Sequence, residues 1–108
     1  EDIIVWQKSR ILVKDIYGVF DPCKDYSFKN QIIRAVVSIM NNIAEGYERK
    51  SNVEFRQFLF IAKGSCGEVR SMLYVAVDLK YITAIKHGEL DGKCVEISRM
   101  LSGLIKKL

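Results

Sequence analysis

The chain has 108 residues, 49% of them hydrophobic and 28% charged, with a formal net charge of +4. That length suits one domain and not two, and the balance excludes an intrinsically disordered chain. A pI near 9.0 permits weak association with polyanions without demanding it.

The positive excess is spread along the chain, with no polybasic block that reads as a tail or targeting signal. The three cysteines, Cys23, Cys66 and Cys94, are odd in number and lack metal-ligand spacing. They read as free thiols in a reducing compartment. No run reaches the ~18 apolar residues of a membrane span, and no signal peptide is visible, so the expected location is the cytoplasm with no membrane contact.

Turn residues cluster at a few places, which predicts long helices joined by short links. The first segment runs from about Val5 to Phe20. Val5, Ile11 or Leu12, Ile16, Val19 and Phe20 recur at helical spacing, and Asp21-Pro22 ends the segment. Asp25 or Ser27 can cap the next helix.

The second segment runs from about Phe28 to Tyr47. Phe28, Ile32, Val36, Ile39, Ile43 and Tyr47 form one apolar stripe, widened by Ile33, Val37, Met40 and Ala44. Gly46 near the end suits a C-terminal cap. The opposite side carries Gln31, Arg34, Ser38, Asn42 and Glu45. Short or fork-shaped hydrogen-bonding groups of this kind suit an interfacial polar network as well as a solvated face.

Ser51-Asn52-Val53-Glu54 has the pattern of a capping box. The third segment then runs from about Asn52 to Tyr81. Phe55, Phe58, Leu59, Ala62, Cys66, Val69, Met72, Leu73 and Ala76 make its main stripe. Phe60, Ile61, Tyr74, Val75 and Val77 lie off that stripe, more apolar surface than a core needs. Gly64 and Gly67 sit inside the helix, where glycine marks close packing of another backbone or a bend.

The fourth segment starts near Thr83 or Gly88 and runs to about Lys107, with Leu90, Cys94, Ile97, Leu101, Leu104 and Leu108 three and four apart. Four amphipathic helices with short links define an all-α, antiparallel up-and-down four-helix bundle forming a single domain.

The search for chemistry yields little. His87 is the only histidine and reads as a surface residue. No Glu-x-x-His pair supplies a dimetal site. Gly64-Ser65-Cys66-Gly67 is neither a nucleophile elbow nor a phosphate loop, and it lies mid-helix with its amides already bonded. No nucleophile–base pair, cofactor or metal is implied, and the chain reads as a non-enzyme. Arg56, Lys63 and Arg70 stand seven apart on one helix face, at intervals of about 10 Å. Such a row either tracks a phosphate backbone or is an ordinary solvated face.

Gln31, Arg34-Ala35, Ser38-Ile39, Asn42-Ile43-Ala44-Glu45-Gly46 and Arg49 resemble the most characteristic motif of the bacterial four-helix-bundle proteins associated with intervening sequences in 23S ribosomal RNA genes. Val5-Trp6-Gln7-Lys8-Ser9-Arg10 is similar to that family's opening. Phe55, Phe58-Leu59, Ala62, Gly64-Ser65 and Glu68 are similar to its third helix. Val36-Val37 and Cys66 depart from it. The resemblance implies a left-handed bundle that assembles with itself, as a pentameric ring. It also implies kinship with the accessory variability proteins of diversity-generating retroelements, basic scaffolds that engage a reverse transcriptase and nucleic acid.

Two functional expectations arise. One is an oligomer that contacts the phosphates of structured RNA or DNA through Arg49, Lys50, Arg56, Lys63 and Arg70. The other is a protein-interaction scaffold, served by a co-encoded partner such as a reverse transcriptase, with no nucleic-acid role. In both, Gln31, Arg34, Ser38, Asn42 and Glu45 are candidates for a polar interface.

Overall fold

A computed structural model describes residues 3–108. Four helices succeed one another: α1 (Ile3–Phe20), α2 (Tyr26–Tyr47), α3 (Asn52–Asp78) and α4 (Ala84–Lys106). Each packs on its sequence neighbour, and α1 closes the bundle against α4, so α1 and α3 stand diagonally opposite, as do α2 and α4. The molecule measures 43 × 22 × 18 Å. Its long dimension is set by α3, whose 27 residues span about 40 Å at 1.5 Å per residue.

The core tracks the helical stripes. Leu12, Ile16 and Phe20 of α1 meet Ile32, Val36, Ile39 and Ile43 of α2, with Leu59, Val69 and Leu73 of α3 and Leu90, Ile97 and Leu101 of α4, all at most 2% exposed. Of the two candidates on α1, Leu12 is buried and Ile11 is 52% exposed. No helix among the described residues is long and apolar enough to cross a membrane.

Side-chain caps fix where the helices begin. Asp25 Oδ1 accepts from the Phe28 amide at 3.1 Å and starts α2 at Tyr26, two residues ahead of the sequence expectation. Ser51 Oγ accepts from the Glu54 amide at 3.1 Å, half of the expected capping box. Thr83 Oγ1 accepts from the Lys86 amide at 3.1 Å and settles the start of α4, with Gly88 inside the helix.

Two further features differ from the sequence expectation. α3 stops at Asp78 and not at Tyr81. Lys80 takes a left-handed φ of 63°, while the Tyr81 amide donates to the Ala76 carbonyl at 2.8 Å and the Lys80 amide to Val77 at 2.9 Å. This is a Schellman termination, built on lysine where glycine is usual.

Gly46 is the second. It lies within α2, and Glu48 is the C-terminal cap. Its role is close approach: a Cβ there would come within 2.9 Å of the Phe55 ring and 3.3 Å of Phe58 Cβ. The short α2–α3 link brings α3 onto α2 at this point, and only a residue without a side chain fits between them.

Candidate interaction surfaces

The five basic residues singled out from the sequence do not form one free row. Arg56 donates to the Leu108 carbonyl at 2.9 Å, and its Nε is buried without a partner. Arg70 donates from Nε to Asp91 Oδ1 at 2.8 Å and from Nη2 to Oδ2 at 3.4 Å. That carboxylate hydrogen bond holds the Arg70 pKa above its ordinary value. Arg49 is paired with Glu45 one turn earlier, and its guanidinium lies 4.9 Å from the centre of the Phe58 ring. Arg70 therefore pins α3 to α4 and Arg56 pins it to Leu108 just beyond α4, and Lys63 between them is half-buried with no ion-pair partner among the described residues. The heptad spacing that aligned the three also placed them on the α3–α4 seam, and the pairing with α4 carries no local sequence signal.

At one end of the bundle the close of α2, the start of α3 and the close of α4 come together. Arg49, Lys50, Arg56, Lys106 and Lys107 gather there. Of these, Lys50, Lys106 and Lys107 are exposed and form no ion pair among the described residues. The two α4 lysines were missed in the sequence, because only the antiparallel fold brings residue 106 beside residue 50.

The polar stripe of α2 divides in two. Ser38 and Asn42 are half-buried, and Ser38 reaches α3. The Ser38 and Ser65 hydroxyls share a hydrogen bond of 2.9 Å, and Asn42 Nδ2 donates to the Ser38 carbonyl at 2.8 Å and to its Oγ at 3.0 Å. Gln31, Arg34 and Glu45 are exposed. The stripe is thus a small network inside the α2–α3 interface with a solvated rim.

Residues off the main stripe of α3 do face outward: Phe60 is 53% exposed, Ile61 50%, Tyr74 56% and Val75 43%. Gly64 and Gly67 lie between them, and a Cβ at either would meet nothing within 4 Å. The close packing expected at these two glycines is therefore absent within the chain. Phe60, Lys63, Gly64, Gly67, Arg70 and Ser98 line a shallow depression of about 390 Å³.

His87 is half-buried, not on the open surface, with its ring 4.5 Å from that of Tyr74 and its Nε2 buried without a partner. Burial pushes the Cys66 and Cys94 thiols up to about 12, so neither is a ready nucleophile. No cluster of metal-binding side chains occurs among the described residues.

Fold and surfaces together define an all-α four-helix-bundle protein with exposed apolar and basic faces. The chain belongs to the 23S rRNA-intervening sequence protein family, whose model matches residues 1–103. It is also similar to a crystal structure from Bacteroides thetaiotaomicron described as a protein with unknown function from the S23 ribosomal protein family. That similarity has 26% identity, a TM-score of 0.91 and coverage of 97% of each chain. No curated protein matches.

Proposed function

We propose that this protein is a non-enzymatic, self-assembling accessory protein that associates with structured RNA or DNA in the bacterial cytoplasm. The observation that carries the reading is the family match over residues 1–103. Assembly into a ring of five is the finer form of the proposal. It draws on the likeness to ring-forming accessory proteins of retroelements and on apolar side chains left exposed outside α3, such as Ile4 and Ile11 of α1.

The phosphate contacts are assigned to Lys50 and Lys63, together with Arg49, Arg56 and Arg70. The last three are partly engaged by Glu45, Leu108 and Asp91, so the unpaired lysines carry more of the contact. Lys106 and Lys107 extend the surface. In an assembly, +4 per copy adds into a larger field, and weak contacts combine through multivalency.

The second reading is a scaffold for a co-encoded protein, such as a reverse transcriptase, with no direct nucleic-acid role. The exposed Phe60, Ile61, Tyr74 and Val75 favour it. The deciding experiment is fluorescence anisotropy with a structured RNA and a DNA duplex, comparing the wild type with a Lys50→Glu/Lys106→Glu/Lys107→Glu variant. Loss of binding in the folded variant supports the first reading. No binding by either protein at low salt rejects it, and equal binding by both rejects the assignment of the contacts to Lys50, Lys106 and Lys107.

A further inference from the structure

α3 carries a second repeat on its outer side. Gln57, Phe60, Gly64, Gly67, Ser71 and Tyr74 recur three and four apart, every one exposed, with Val53 and Asp78 continuing the series at the ends. A repeat averaging about 3.5 residues is the seam of a helix pair. The inner stripe of α3 already faces α2 and α4, so this seam has no partner within the chain. At its centre Gly64 and Gly67 weaken the helix relative to alanine, and a Cβ at either would meet nothing within 4 Å.

We infer that this face receives the same face of a second copy, laid antiparallel. The inference deepens the self-assembly reading above and names its contact surface. The choice of a second copy rests on how the stripe reads when reversed about the midpoint between Gly64 and Gly67. Gly64 then meets Gly67, Phe60 meets Ser71, and Gln57 meets Tyr74, each pair occurring twice as a two-fold contact requires. Both large rings fall opposite a small or polar side chain, and the backbones approach through four glycines. A parallel pair would instead set Phe60 on Phe60 and Tyr74 on Tyr74, holding the helices apart over a void at the glycines. Sliding the antiparallel pair by a heptad sacrifices two turns of overlap.

The flanks are not charge-matched: on one side Lys63 of each copy faces Arg70 of the other, a like-charge approach that the Arg70–Asp91 ion pair moderates. On the other, the half-exposed Ile61 and Val75 supply an apolar rim. A seam about 40 Å long and about 10 Å wide covers roughly 400 Å² per copy, about half of what a stable complex buries on each partner, so a weak, concentration-dependent contact is expected. A ring of five uses two different faces on each copy. The α3 contact is therefore separate from ring closure and joins two copies or two rings.

The test uses chains with Cys23→Ser as background. Phe60→Cys and Ser71→Cys proteins are oxidised mildly, separately and as a mixture, and sedimentation is measured for the wild type and for Gly64→Leu. The expected results are cross-linking in the mixture well above either protein alone, a wild-type mass at an even multiple of 12.4 kDa, and at least tenfold weaker association in folded Gly64→Leu. A wild-type monomer at ~100 µM overturns both this contact and self-assembly. An assembly that neither cross-links preferentially in the mixture nor responds to Gly64→Leu overturns the α3 contact alone and leaves self-assembly standing.

Discussion

Gly46 and Phe55 stand so close that a Cβ on the glycine would lie 2.9 Å from the phenylalanine ring. Gly46→Ala raises helix propensity by up to ~1 kcal/mol, but it overpacks the α2–α3 contact, at a cost of roughly 1–3 kcal/mol. Net destabilisation is expected. Gly64→Ala and Gly67→Ala meet open space and should each stabilise the isolated chain by up to ~1 kcal/mol. Chemical denaturation of the three variants under monomeric conditions checks the contrast in sign.

The Tyr81 hydroxyl donates to Asp25 Oδ2 at 2.6 Å and ties the α3–α4 link to the start of α2. That hydrogen bond, then the one from the Phe28 amide, holds the Asp25 carboxyl below its ordinary value. The same bond pushes Tyr81 up to about 12. The Asp25 contribution is present above the unfolded carboxylate value near ~3.9 and fades as pH falls through the lower folded value. The Tyr81 contribution is present below the unfolded phenol value near ~10 and fades as pH rises through about 12. Tyr81→Phe should therefore lower the melting temperature at neutral pH, and its difference from the wild type should shrink at both extremes. Melting curves across the pH range measure this.

Lys80 holds a φ of 63°, a region costing roughly 1–2 kcal/mol for a residue with a Cβ. Lys80→Gly relieves that strain but gives the unfolded chain more freedom. A net stabilisation of about 0.5–1 kcal/mol is expected, read from the denaturation midpoint at unchanged slope.

Thiol reactivity should separate the cysteines. Cys66 and Cys94 are buried in the core, while Cys23 is partly exposed in the α1–α2 link. One thiol per chain should alkylate quickly at pH 8 and two only on unfolding. Mass spectrometry of the native and denatured protein counts them.

Much of the fold is legible in the sequence, because helical stripes and polar caps are local. Ser51 and Thr83 announce their helices through side-chain chemistry that acts within three residues. The end of α3 is not legible, because Lys80 adopts a glycine-like conformation that its side chain does not advertise. Gly46 misleads for the same reason in reverse: its need is a distant ring and not a local turn. Periodicity puts Arg56, Lys63 and Arg70 on one face correctly, yet the Leu108 and Asp91 partners lie 52 and 21 residues away in sequence. The outward seam of α3 is present in the sequence as surplus apolar residues, but its register becomes readable only once burial shows which side faces out.

The central claim, association with nucleic acid through an assembled basic surface, is tested most directly by the salt dependence of RNA binding by the intact protein. Measurable binding is predicted at low salt, with log K falling linearly against log [salt] at a slope corresponding to several phosphate contacts. Binding that does not weaken with salt, or no binding at low salt by the assembled protein, would contradict it.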